Sequence, residues 1–170
     1  QVQTGEELGK TPFFAFVREE VDHAMETAVR LKDQALALCL EPDGPYMYEE
    51  MLESDMKNVE RFRQASTYAQ YRRASEQIAW KKLAPNRDKA VSKEKADRVK
   101  KLREELKKAV TFPAEQYFSQ SEEELLAGLA VCAPMMEELK DLTEAFAARF
   151  EEKKRSRGMI DYSDMEQYAL

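Results

Sequence analysis

The feature that most constrains this chain is a run of apolar residues, between positions 13 and 38, that recur at steps of three and four. Residues at these steps lie on one face of an α-helix, so the run predicts one amphipathic helix from about Pro12 to Leu40. Thr11 can cap this helix, and Pro12 suits its first turn, where no backbone N–H is needed. The apolar positions are Phe13, Phe14, Val17, Val21, Ala24, Ala28, Leu31, Ala35 and Leu38.

The same spacing continues along the chain and predicts further helices. The composition agrees, because Ala, Glu, Lys, Leu and Met are abundant while only five Gly and six Pro occur in 170 residues. We therefore predict an all-α fold, a bundle of about five to seven long antiparallel helices. We predict a second helix from about Tyr46 and a third that is capped by Ser66 or Thr67 and reaches Trp80. A fourth helix is predicted to be capped by Ser92 and broken at Thr111-Phe112-Pro113. A fifth is predicted to open with a Ser121–Glu124 capping box, to be interrupted or restarted at Pro134, and to end at Gly158.

The sequence favours a cytoplasmic protein. It contains no apolar run near the roughly 20 residues that span a bilayer, and no signal-peptide pattern opens it. Cys39 and Cys132 lie in apolar helical contexts far apart in sequence. We expect both to be reduced core residues rather than a disulfide or a metal site.

Two features that resemble catalytic sites do not support catalysis. Gly5 to Thr11 resembles a phosphate-binding loop, but three residues separate its glycines where the motif needs four, and Pro12 removes a backbone N–H where phosphate would bind. His23 is the only histidine and has no second His or Cys at ligand spacing. We therefore predict no catalytic residue, no metal ligand and no cofactor in this chain.

The charge is distributed unevenly. Residues 81–108 hold twelve Lys or Arg against five Asp or Glu, a net charge of +7, which leaves −13 for the remainder of a chain whose total is −6. Such a window is either a solvated helix with Lys/Arg–Glu pairs at four-residue steps or a surface that contacts phosphates. With no base-reading motif, any DNA contact would be to the backbone and independent of sequence. The candidate contacts are Lys81, Lys82, Arg87, Lys89, Lys93 and Lys95.

Trp80, the single tryptophan, immediately precedes this basic window. We expect it to anchor the core, and stacking against a nucleobase is the alternative.

The last residues predict a junction. Gly158 can close a helix in the left-handed conformation, and Ser163 with Glu166 has the spacing of a capping box for a new helix. Capping and helix-dipole roles account for Asp161, Asp164 and Glu166, which could otherwise suggest a metal triad. We expect residues 1–158 to form a helical subdomain, and residues 159–170 to begin a return into a core that lies beyond this chain.

This junction also carries a resemblance to a known family. It resembles the Arg-Gly-hydrophobic-hydrophobic-Asp-aromatic-Ser-Asp-hydrophobic-Glu segment of AddA, the bacterial helicase–nuclease protein of the UvrD-like superfamily 1 helicases. Tyr162 and Met165 replace the usual Phe and Leu. The order of further features is similar as well: the long first helix, Gly44-Pro45-Tyr46, Ala79-Trp80-Lys81-Lys82-Leu83, Tyr117-Phe118-Ser119, and Leu129 to Pro134. The junction residues that match are Arg157, Gly158, Ile160, Asp161, Tyr162, Ser163 and Asp164.

The resemblance implies a helical subdomain, termed 1B, inserted in the first RecA-like domain of a motor. In that family the motor uses ATP and Mg²⁺ to move on single-stranded DNA, carries a RecB-like nuclease domain, and acts with a second protein, AddB, in double-strand-break repair. This chain holds no complete Walker A or Walker B motif and no nuclease motif. It is therefore expected to be a non-catalytic subdomain along the DNA path, near a single-strand/duplex junction. The alternative is a helical protein–protein interaction or scaffold module without nucleic-acid affinity.

Overall fold

The computed structural model describes residues 2–160 and Met165, and within that part of the chain it contains six α-helices and no strand. The all-α prediction is confirmed. The described residues divide into two compact units, residues 2–126 and the described residues from 127 onward. The helices are α1 (Gly5–Gly9), α2 (Pro12–Cys39), α3 (Glu49–Gln64), α4 (Tyr68–Glu76), α5 (Lys93–Tyr117) and α6 (Glu122–Arg157), and a 3-10 turn spans Tyr46–Tyr48.

Helix α2 is the central element of the first unit, where it packs against α5 and α3. It begins as predicted, because the backbone N–H of Phe14 donates to Thr11 Oγ1 at 3.1 Å and Pro12 occupies the first turn. Its buried stripe separates into two parts. Phe14 to Ala28 join a cluster with α4 and the second half of α5, and Ala35 and Cys39 join a cluster with Tyr48, Leu52 and Leu102.

The larger cluster is closed by aromatic rings from α2, from α4 and from Phe118, which directly follows α5. Tyr71 and Phe118 stack with their centroids 5.0 Å apart, and Phe14 meets Tyr71 edge-on at 6.2 Å. Tyr68 donates from its hydroxyl to the carbonyls of Tyr117 and Gln120, which fixes the turn after α5. These contacts hold α2, α4 and α5 together at one end of the first unit.

Two predicted helix limits are wrong. Helix α4 ends at Glu76, so Ile78 and Trp80 lie in a non-helical segment whose backbone bonds to side chains of α3. Helix α5 does not break at Thr111-Phe112-Pro113 but continues to Tyr117. Burial of Val110, Pro113 and Ala114 against the core offsets the cost of proline inside a helix.

In the second unit, α6 runs without a break through Pro134, so the predicted interruption there is also wrong. The predicted capping box at the start of α6, which lies in the first unit, is confirmed. The N–H of Glu124 donates to Ser121 Oγ at 3.1 Å, and the N–H of Ser121 donates to the Glu124 carboxylate at 2.8 Å. Cys132 is exposed rather than in a core. So is the apolar stripe of α6, which comprises Val131, Met135, Leu139, Leu142, Phe146 and Phe150.

The end of α6 is closed as predicted. Gly158 has φ +63°, and the N–H groups of Gly158 and Met159 donate to the carbonyls of Arg155 and Lys154. The rest of the predicted junction, Asp161, Tyr162, Ser163 and Asp164, lies outside the described residues. In the described part of the chain, no helix is long and apolar enough to cross a membrane.

Candidate nucleic-acid interface

An extended segment, residues 77–88, leaves α4 and crosses the first unit beside α3 and α5, and it carries the first three candidate contacts. Its path is set by the buried amide of Asn58 on α3. Asn58 donates to the carbonyl of Ala79 at 2.9 Å and accepts from the N–H of Ala79 at 3.2 Å. A backbone residue whose N–H and carbonyl are both paired by one side chain has no need of a helical turn to satisfy its polar groups.

A second buried contact fixes the next residues. Arg103 of α5 forms a two-pronged ion pair with Asp55 of α3, at 2.6 and 3.0 Å, and also donates to the carbonyl of Lys81 at 2.5 Å. The side chains of Arg103 and Asp55 are 5% and 0% exposed. Buried charges are tolerated when they are paired and hydrogen-bonded, as these are. Together with Asn58, this pair forms the polar clamp that holds the segment in place.

The polar clamp was not predicted from the sequence. Asp55 lies in line with Leu52, Val59 and Phe62 on the apolar face of α3, and Arg103 interrupts the seam between Leu102 and Leu106. A charged residue within an apolar stripe was the available signal. It indicates either a register break or a buried pair, and a single sequence does not identify the partner.

The clamped segment and α5 form an open cleft of about 430 Å³, here called the Trp80 cleft. Trp80 is half-buried and packs against the larger core cluster, which agrees with its predicted anchoring role. The ammonium of Lys107 lies 5.9 Å from the centroid of its ring. The cleft is lined by Trp80, Lys81, Lys82, Leu83, Lys100, Arg103, Glu104 and Lys107.

Two of the six candidate contacts are ion-paired inside the fold. Lys81 pairs with Glu50, and Lys95 pairs with both Glu41 and Asp43. The hydrogen bond from Lys81 lowers the pKa of Glu50, and the one to Asp43 raises the pKa of Lys95. The charges of these two lysines are thus offset by neighbouring carboxylates.

The other four candidates, Lys82, Arg87, Lys89 and Lys93, are exposed, and no ion pair engages them within the part of the chain that is described. They follow one another along the segment into the first turn of α5. This loop is anchored, because Ser92 donates its N–H to the carbonyl of Asp43 at 2.8 Å and the Tyr46 hydroxyl donates to Asp88 at 3.3 Å. We call Lys82, Arg87, Lys89 and Lys93 the basic strip.

The basic strip carries four positive charges that can attract phosphate oxygens. Among the described residues, no group of three His, Cys, Asp or Glu side chains could hold a metal ion. His23 is exposed on α2. The arrangement therefore suits electrostatic contact with a polyanion.

No protein-family model matches the chain. Curated proteins do match it along nearly its whole length, and they carry the name of the AddA subunit of an ATP-dependent helicase/nuclease. The protein from Lysinibacillus sphaericus is 33% identical over 159 residues, which is 91% of this chain. Those from Natranaerobius thermophilus and Listeria monocytogenes are 27% and 29% identical over 99% and 96% of it.

These matches confirm the resemblance seen in the sequence. The chain is similar to one segment of AddA helicase/nuclease proteins, and it spans only about 13% of the length of those relatives.

Proposed function

We propose that this chain is a DNA-contacting, non-catalytic subdomain of a UvrD-like helicase/nuclease of the AddA type, with residues 1–158 forming the helical insertion. The four exposed cations of the basic strip carry this proposal, because no ion pair engages them among the described residues of a chain whose net charge is −6. The relatives that this chain resembles are helicase/nuclease proteins of much greater length. DNA-backbone contact independent of sequence is the role that such a surface supports.

In the whole protein, this subdomain would lie beside single-stranded DNA at a junction with duplex. ATP and Mg²⁺ would bind in the motor domains, outside this chain, and an AddB-like second protein would assemble with it in the bacterial cytoplasm for double-strand-break repair. We infer that Lys82, Arg87, Lys89 and Lys93 make the first contacts. Lys81 and Lys95 would contribute only when their carboxylate partners release them.

The test is charge reversal of the basic strip with a matched control. Substituting Lys82, Arg87, Lys89 and Lys93 by Glu should lower the affinity of the 170-residue chain for a fluorescent single-stranded oligonucleotide by about a hundredfold or more in low salt. The control reverses four exposed cations elsewhere, Arg30, Lys57, Lys140 and Lys153, and so makes the same change in net charge.

Anisotropy titrations of both variants separate a local surface from the overall charge. An equal loss in the two variants would show that net charge alone governs binding. Undetectable binding by the unaltered chain in low salt would overturn the proposal.

The exposed stripe on α6 favours a second role, contact with protein. Leu142 and Phe146 are 60% and 69% exposed, and a run of large apolar side chains in water marks an interaction surface. We infer that the remainder of the longer polypeptide covers this stripe, because the chain spans only about 13% of its relatives. A free-standing scaffold module would instead bind a separate protein and no DNA.

The reactivity of Cys132 distinguishes coverage by the longer polypeptide from a free-standing scaffold module, because helical spacing places Cys132 on the stripe beside Met135 and Leu139. Maleimide should modify Cys132 rapidly in the 170-residue chain and slowly in the full-length protein, as read by peptide mass spectrometry. Equal rates in the two proteins would exclude coverage by the remainder of the polypeptide.

A further inference from the structure

We propose that the Trp80 cleft holds one unpaired nucleotide of single-stranded DNA, with its base against the indole of Trp80 and its phosphate at Lys82. The inference rests on the proposed DNA-contacting function and adds to it a specific subsite and a preference for unpaired strands. It follows from three properties of the cleft: its aromatic wall, its exchangeable cations and its rigid backbone.

The aromatic wall is the first property. Trp80 lines the cleft and also packs against the larger core cluster, which restrains its side chain. Stacking of a base on such a ring strengthens binding by about fivefold to a hundredfold and does not depend on base identity. The ammonium of Lys107 lies 5.9 Å from the ring centroid and so places a positive charge beside the indole.

The cations differ in how readily they can bind phosphate. Lys82 has no ion-pair partner among the described residues. Lys100 and Lys107 pair with Asp97 and Glu104 at 2.9 and 2.8 Å, but their side chains are 43% and 25% exposed. Ion pairs at a surface contribute little to stability, so a phosphate can take the place of either carboxylate.

Arg103 has a different role. Its guanidinium already binds Asp55 and the carbonyl of Lys81, and its side chain is 5% exposed. It is a positioning residue that fixes the backbone between Trp80 and Lys82. Because Asn58 holds this backbone at Ala79 as well, the backbone that carries Trp80 and Lys82 is fixed on the rim of one cleft.

Size and access favour an unpaired nucleotide. A cleft of about 430 Å³ lies within the range of small-ligand sites, roughly 300–1,000 Å³. A base inside duplex DNA has both faces covered by its neighbours and must leave the stack before it can meet an indole. The cleft should therefore bind single strands more tightly than a duplex of the same length.

The single tryptophan makes the test direct, because all indole fluorescence of this chain comes from position 80. The probes are an oligodeoxythymidylate of about 16 nucleotides and a blunt duplex of equal length. We expect the single strand to quench the indole emission and the duplex to leave it nearly unchanged. Trp80→Leu should weaken single-strand binding by about fivefold to a hundredfold and leave duplex binding unaltered.

Two further variants keep the test valid if Trp80→Leu perturbs the core. Trp80→Phe retains an aromatic face and should recover most of the single-strand affinity, whereas Phe112→Leu, an exposed aromatic residue outside the cleft, should have no effect. Circular dichroism and urea unfolding would establish that each variant is folded.

The possible outcomes separate this inference from the proposed function. DNA binding detected by anisotropy without a change in indole emission, and equal in Trp80→Leu, would overturn the cleft subsite and leave the proposed function intact. An equal loss for single strand and duplex would also overturn it. Absence of binding by any readout in low salt would overturn the proposed function itself.

Discussion

Helices α2 and α6 are both long and both carry apolar residues at three- and four-residue steps, but only α2 is covered. Val21 and Met25 of α2 are 0% exposed, whereas Leu142 and Phe146 of α6 are 60% and 69% exposed. The contrast extends to charged pairs, since Asp55–Arg103 is buried in the first unit and Lys140–Glu144 lies exposed on α6. An apolar stripe thus indicates which face of a helix is suited to packing. It does not indicate whether the packing partner lies in the same unit or elsewhere.

The largest difference between the two regions should come from their ion pairs. Asp55→Ala leaves the Arg103 guanidinium buried and unpaired, and we expect a loss of about 3–5 kcal/mol in the free energy of unfolding. Glu144→Ala, which breaks an exposed pair on α6, should cost no more than about 0.5 kcal/mol. Urea unfolding of both variants measures the difference.

A double variant sharpens this prediction. Replacing Asp55 and Arg103 together by Leu and Met removes both charges and should recover much of the lost stability. If the double variant is as unstable as the sum of its single variants, the pair is not the source of the effect.

One leucine from each region allows the same substitution to be compared in the two regions. Leu106 of α5 is 0% exposed, so Leu106→Ala should lower the free energy of unfolding by about 2–5 kcal/mol through lost burial and a cavity. Leu142→Ala on α6 should change it by about 0.5 kcal/mol or less. Similar losses in the two variants, measured by thermal or urea unfolding, would mean that the α6 stripe is covered in solution.

Each region also contains one cysteine, which allows the comparison without mutation. Burial and the nearby charge of Glu49 raise the pKa of the Cys39 thiol to about 11, while Cys132 is exposed. Iodoacetamide at about pH 8 should therefore alkylate Cys132 roughly a hundredfold faster than Cys39, and the two should react alike in urea. Rapid reaction of both thiols in the folded chain would contradict a closed core around Cys39.

The smallest effect concerns pH. Hydrogen bonds from Lys95, Lys81, Lys100 and Lys107 lower the pKa values of Asp43, Glu50, Asp97 and Glu104. A carboxylate whose pKa is lowered by folding stabilises the fold above its ordinary pKa, and that contribution is lost as the pH falls through the lowered value. We expect a shallow decline in the urea midpoint below about pH 4.5, whereas a midpoint that rises towards about pH 3 would contradict these pairs.

The sequence predicted most of the helical framework because helix signals are local. The caps at Thr11, Thr67 and Ser92 and the left-handed Gly158 each depend on residues only a few positions apart. The errors at Pro113 and Pro134 arose because proline is disfavoured in an isolated helix, whereas in α5 the surrounding burial decides the outcome.

Local sequence signals predicted only part of the candidate site. Local charge density identified the basic strip, but it did not separate Lys82 or Arg87 from Lys81 and Lys95, whose acidic partners lie more than thirty residues away in sequence. The polar clamp of Asp55, Asn58 and Arg103 joins distant segments, so a charged residue within an apolar stripe indicates a register break or a buried pair but does not identify the partner. The Trp80 cleft depends on that clamp and is visible only in the folded chain.

We propose that the exposed cations of the basic strip bind the DNA backbone, and the salt dependence of binding tests this role most directly. Four phosphate contacts predict that the logarithm of the association constant for single-stranded DNA falls against the logarithm of salt concentration with a slope of about −3. The variant in which Lys82, Arg87, Lys89 and Lys93 are reversed should lose both the affinity and this slope. Affinity that does not change with salt, or no measurable affinity of the unaltered chain in low salt, would contradict a DNA-binding role for the basic strip.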